Sequence, residues 1–191
     1  MMKRKIIERY ERTAENEVII AISATKIEDL YDDFDKKSTF LKKDLNHDLV
    51  EYIIESVKEI EQEKFIIEFN LEVMASDASI SRVKNSVNSF FIYMQELEAR
   101  KMSDMIRTSL ILLLIGVVLA TLSVIINKNL AEDTSVVTAV VAEGLTVAAW
   151  VSLWEALATF LIKWMPYKKT ISLFKRIATS TIRVEFSTQK K

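Results

Sequence analysis

Residues 141–164, "VAEGLTVAAWVSLWEALATFLIKW", carry Glu143 and Glu155 in a stretch apolar enough for a lipid bilayer. A charge at the centre of a bilayer costs about 3 kcal/mol on insertion scales. Each membrane carboxylate must therefore be neutral, hydrogen-bonded or at the water's edge. Two other groups have residue types suited to chemistry. The acidic run Asp29, Asp32, Asp33 and Asp35 offers oxygen ligands for a divalent cation. It lacks the spacing and the glycine of a calcium loop and alternates with Lys26, Lys36 and Lys37, so it reads as a solvated turn. His47 sits beside a helix start and reads as surface or capping chemistry.

Composition removes most catalytic chemistry. The 191 residues contain no Cys, one His and two Gly, so there is no thiolate zinc site, no disulfide framework, no His-based triad and no glycine-rich phosphate loop. The expectation is a protein that is not an enzyme, with no catalytic residue, no metal and no cofactor. Residues 1–108 hold 17 Lys and Arg against 22 Asp and Glu, and residues 109–191 hold 9 against 5. An acidic front half argues against nucleic acid as a partner.

The elements that must position the carboxylates are two apolar spans. "SLILLLIGVVLATLSVII", residues 109–126, has no charge and is about 27 Å long as a helix, close to a hydrocarbon core. The second span runs over about 135–162, and the short linker "NKNLAEDT" forces an antiparallel hairpin. Arg107 precedes the hairpin; Lys163, Lys168, Lys169, Lys175 and Arg176 follow it, and Lys128 is the lone cation between the spans. The positive-inside rule puts both termini in the cytoplasm, in a prokaryotic inner membrane, with the basic cluster facing anionic lipid headgroups. Trp150, Trp154 and Trp164 are expected at the inner interface, and Pro166 is expected to end the helix.

Small residues recur at every fourth position: Gly144, Ala148, Ser152 and Ala156 in the second span, Gly116 and Ala120 in the first. Such rows let backbones approach, inside the hairpin or between subunits, while Leu145, Leu153, Leu157 and Leu161 face lipid. If equal lengths pair about a turn between 126 and 135, Glu155 is level with Arg107 at the cytoplasmic edge. Glu143 is then level with Val118, inside the membrane and within reach of Thr121, Ser123 or Thr146. In the alternative register the second span starts at Gly144, and Glu155 is the buried carboxylate.

Outside the spans, "EVIIAIS" (17–23), "KFIIEFNLEV" (64–73) and "TIRVEFS" (181–187) alternate as strands. Leu49, Val50, Ile53, Ile54, Val57 and Ile60 have helical spacing, with Asn46 or Asp44 as cap. That strand–helix–strand unit predicts parallel strands. Ile80, Val83, Val87, Phe90, Phe91, Met94 and Leu97 predict one helix running unbroken from about Ser79 into the first span. The start, "MMKRKIIERYERTAENE", lacks the apolar core of a secretory signal; Ile6, Ile7 and Tyr10 suit a short amphipathic helix or an arm. The fold class expected is an α+β membrane protein: a small three-stranded sheet with helices, interrupted by an antiparallel two-helix transmembrane hairpin. Its parts are a cytoplasmic domain with linking helix (1–108), the hairpin (109–162), and a basic amphipathic helix with a terminal strand that completes the domain (163–191).

The order of "IEDLYDDFDKKSTFLKKDL", "FFIYM", "SLILLLIGVVLATLSVI" and "EGLTVAAWVSLWEALATFLIKWMPYKKTISLFKRIA" resembles a widespread group of uncharacterised prokaryotic membrane proteins. These have a transmembrane hairpin and a small cytoplasmic α/β domain. The resemblance covers most of the chain, and "AAWVSLWE" with "WMPYKK" is its most specific part. Where the group has a proline shortly after the second tryptophan, Ala156 follows Glu155 here, which implies a straighter helix. The resemblance carries no activity.

These readings predict a homo-oligomeric membrane protein whose cytoplasmic domain binds an unidentified protein or small molecule. The alternative is an oligomeric pore or ion pathway lined by Glu143, a design that suits a stress or defence effector.

Overall fold

The computed structural model describes residues 8–31, 45–129 and 136–186. Three strands, β1 (Val18–Ala24), β2 (Phe65–Leu71) and β3 (Thr181–Phe186), and three α-helices, α1 (His47–Glu59), α2 (Asp77–Asn129) and α3 (Val136–Ala178), make up the described elements, with a 3₁₀ turn at Ile27–Leu30. By contact density the chain divides into two compact units, Met1–Glu96 with Ile171–Lys191, and Leu97–Thr170.

In the first unit the sheet has the order β1-β2-β3 and is parallel throughout. Val18 pairs with Phe65, Ile20 with Ile67 and Ile22 with Phe69; across the other edge Ile67 pairs with Ile182 and Phe69 with Val184. One face is therefore an apolar block. It packs with Val50, Ile53 and Val57 of α1, Val83, Val87 and Phe91 of α2, and Phe174 and Ile177 of α3 in one core. Strands of six or seven residues that turn one apolar face to the helices joining them suit this two-layer form.

Local chemistry sets the ends. The Asn46 side chain accepts from the Asp48 and Leu49 amides and starts α1. Helix α2 begins slightly before the expected Ser79, because the Ser76 hydroxyl accepts from the Ser79 amide. Past α1, Glu61 has φ +50°, a left-handed conformation uncommon for a residue other than glycine. The Arg176 guanidinium donates to the carbonyls of Glu61 and Glu63 (2.8 Å to Glu63) and lies over the Phe65 ring at 5.4 Å. Asn88 donates to the Ala178 carbonyl at the end of α3.

Pro166 does not end the second long helix, contrary to expectation: α3 runs through it to Ala178. A proline removes one backbone bond and crowds the preceding turn. The residues beyond it are nevertheless held helical, since Phe174, Ile177 and Ala178 are all buried. The basic amphipathic segment is thus the last part of α3 rather than a separate helix.

Two helices are long and apolar enough to cross a membrane, Asp77–Lys128 and Val136–Ala178. The acidic run lies mostly outside the described residues; Asp29, which is described, accepts the Lys26 amide at 3.2 Å. Ile6 and Ile7 also lie outside them. Tyr10 donates to Glu59 at 2.6 Å.

Candidate functional site

Glu143, Glu155 and the small-residue rows all lie in the second compact unit. There the outward surface of α2 and α3 is apolar: Leu110, Leu114, Val124, Val151, Leu161 and Ile162 are exposed, while the hydroxyl residues Ser109, Ser123 and Thr159 are buried. In water the opposite arrangement is the rule.

The buried rows have a seven-residue repeat. Ser109, Gly116 and Ser123 are buried on α2; Ala142, Ala149 and Ala156 are buried on α3. Specific contacts join them. A Cβ placed on Gly116 would lie 2.8 Å from the Leu153 side chain. The Ser123 and Thr146 hydroxyls are 2.5 Å apart, and Ser123 also donates to the Ala142 carbonyl at 3.1 Å.

Several expectations change with these contacts. The four-residue row divides: Gly116 and Ala156 are buried, Ala120 and Ser152 are half-buried, and Gly144 and Ala148 are exposed. Nothing stands within 4 Å of the position a Cβ would take on Gly144. The reason is period. An apolar seam that recurs every seven residues follows the slow left-handed wrap of two helices, and a row at every fourth residue drifts off it. Leu153, expected to face lipid, is the side chain that fills the space over Gly116. The partners of Leu153 and Thr146 also stand eight residues further along α2 than equal pairing about the linker predicts. Ser123 and Thr146 bond to each other instead of to Glu143, and Thr121 bonds to the Val117 carbonyl.

Glu143 and Glu155 are both exposed on α3. Glu155 accepts a long hydrogen bond of 3.4 Å from the Thr159 hydroxyl. Among the described residues no ion pair joins it to Arg107, so the expected interfacial pair is absent. On a helical wheel Glu155 shares its side with Gly144 and Ala148, well away from the buried row Ala142, Ala149 and Ala156.

Trp150 and Trp154 are 68% and 70% exposed. Trp164 has a cation, Lys168, over its ring at 5.1 Å, and it stacks on Phe160 at 5.8 Å. Lys163 and Lys169 are exposed, as are Arg107 and Lys175. Arg176, grouped in the sequence with the lipid-facing cations, is instead committed to the carbonyls of Glu61 and Glu63. Burial lowers its guanidinium pKa.

The described residues of the sheet-containing unit line several shallow hollows. One, about 480 Å³, is formed where the parallel strands end, by Ser23, Thr25, Asn70, Glu72 and Glu185. A second, about 550 Å³, lies between α1 and α2 and is lined by His47, Val50, Ile54, Phe90 and Met94. A third, about 520 Å³, adjoins the Tyr10 and Glu59 contact. Among the described residues no group of three or more His, Asp or Glu is placed to hold a metal ion.

Compared with protein families, curated proteins and solved structures, the chain gives no match.

Proposed function

We propose that this chain is a non-enzymatic integral protein of a prokaryotic inner membrane. In this reading α2 and α3 cross the bilayer as an antiparallel hairpin, copies self-associate there, and the sheet domain is held at the cytoplasmic face as a binding or sensing module. The observation that carries the reading is the inverted surface of the helix pair, with large apolar side chains outside and Ser109, Ser123 and Thr159 inside. An exposed apolar area of that extent is stable in lipid and aggregates in water.

The contacts support the antiparallel arrangement and its depth. From Gly116 to Ser123 the chain advances seven residues, while the partners recede from Leu153 to Thr146. Carried outward, this pairing sets Lys163 level with Ile106, beside Arg107, and sets Glu143 level with Ile126, near Lys128. The stretch from Arg107 to Lys128 is about 30 Å by helical rise, the thickness of a hydrocarbon core. Arg107, Lys163, Lys168 and Lys169 then form one inner boundary, where anionic lipid contributes about 1 kcal/mol per charge. Trp164 belongs to that boundary; Trp150 and Trp154 lie deeper than the headgroups.

The same pairing reverses the roles first given to the two carboxylates. Glu143 reaches water at the outer edge. Glu155, eight residues or about 12 Å from Lys163, lies near the middle of the membrane. A pore lined by Glu143 loses its basis, since that residue stands at the mouth. For the binding role, the end of a parallel sheet where the strands terminate is the usual ligand position, and here it offers Ser23, Asn70, Glu72 and Glu185.

Alkaline carbonate extraction of membranes from expressing cells tests the reading. Retention of the full chain in the pellet is expected; its release would overturn the hairpin.

A further inference from the structure

We propose that Glu155 is an intramembrane contact between two copies of this chain, in which the paired carboxyl groups hydrogen-bond to each other across a two-fold axis along the membrane normal. The inference rests on the hairpin reading above. Its basis is a mismatch: a carboxyl group near the bilayer midplane, on the side of α3 turned away from α2, whose hydrogen bond among the described residues is a long one of 3.4 Å from Thr159. Hydrocarbon supplies neither donor nor acceptor, and an unsatisfied polar group there costs several kcal/mol.

The partner must carry a hydrogen-bonding group at the same depth. A second copy does so by necessity. The same distribution of cations inserts every copy with the same orientation, so each Glu155 lies at one level and a two-fold axis brings like to like. As acids, two carboxyls both donate and accept, and each satisfies the other. On the same side of α3 the residues toward the outer end, Gly144 and Ala148, are small and exposed, which lets a second helix come close. Phospholipid cannot substitute, since its polar groups stop at the headgroup level.

The chain has no native cysteine, so single cysteines report contacts without background. In membranes that retain the full-length protein after carbonate treatment, Ala148→Cys on the Glu155 side should form an oxidative dimer. Leu161→Cys, about 120° round the helix from Glu155, should not. Adding Glu155→Leu to Ala148→Cys should lower the dimer yield about tenfold, whereas Glu155→Gln, which still donates and accepts, should retain it. Undiminished dimer with Glu155→Leu would overturn the proposal, as would a membrane-retained protein in which Ala148→Cys forms no dimer. Release of the protein by carbonate would overturn the hairpin itself, and this contact with it.

Discussion

Gly116 and Leu153 are in direct contact: a Cβ on the glycine would meet the leucine Cδ2 and Cγ at 2.8 Å and its backbone nitrogen at 3.1 Å. The contact is a knob over a gap, and it sets which residues of the two helices stand opposite each other. Gly116→Val should therefore separate the helices and destabilise the detergent-solubilised protein by about 1–3 kcal/mol, the usual cost of overpacking. Leu153→Ala in the same chain should restore part of the loss. Gly144→Ala, with open space around it, should leave hairpin stability unchanged or raise it by up to about 1 kcal/mol through helix propensity. Thermal denaturation of the three variants checks all of this.

The hydroxyl pair Ser123 and Thr146, at 2.5 Å, is expected to couple the helices by about 0.6 kcal/mol, the mean for such bonds in membrane proteins. A double-mutant cycle with Ser123→Ala and Thr146→Val measures it, and additive effects of the two changes would contradict the pairing.

Arg176 is expected to matter for folding of the sheet domain rather than for lipid binding. Arg176→Ala removes the guanidinium that donates to the carbonyls of Glu61 and Glu63 and should cost about 1.5–3 kcal/mol. Arg176→Lys should recover only part, since one ammonium cannot span two carbonyls as a planar fork does. Binding to anionic vesicles should be unaffected by Arg176→Lys and weakened by Lys168→Gln with Lys169→Gln.

Acid should loosen the start of the chain. The Tyr10 hydroxyl, and then Arg9, hold the Glu59 carboxyl below its ordinary range. A depressed folded value means the stabilisation is fully present above the unfolded pKa of about 4.3 and is lost as pH falls through the folded one. The group is solvent-exposed, so the effect is small, under about 1 kcal/mol. Glu59→Gln should reduce stability at neutral pH and flatten the acid limb of the unfolding curve.

The strands and α1 were legible because local chemistry decides them: Asn46 caps α1 as its position suggests, and Phe65, Ile67, Phe69 and Leu71 of β2 are all buried. The apolar spans were legible for the same reason. The register of the helix pair was not, because linker length constrains it loosely, while the Gly116 and Leu153 fit and the Ser123 bond depend on which faces meet. A seven-residue repeat, Ser109, Gly116, Ser123 against Ala142, Ala149, Ala156, was the signal that carried it. Pro166 and Arg176 misled for a common cause. Each was read from its own residue type, and each is governed by tertiary contacts of its neighbours.

The central claim is the hairpin with its loop outside and both flanks inside. Labelling of single cysteines by a membrane-impermeant maleimide tests it most directly. Lys128→Cys should react in intact cells, or in spheroplasts where an outer membrane is present, whereas Ser103→Cys and Tyr167→Cys should react only after the inner membrane is permeabilised. Equal labelling of all three before permeabilisation, or protection of position 128 alone, would contradict the account.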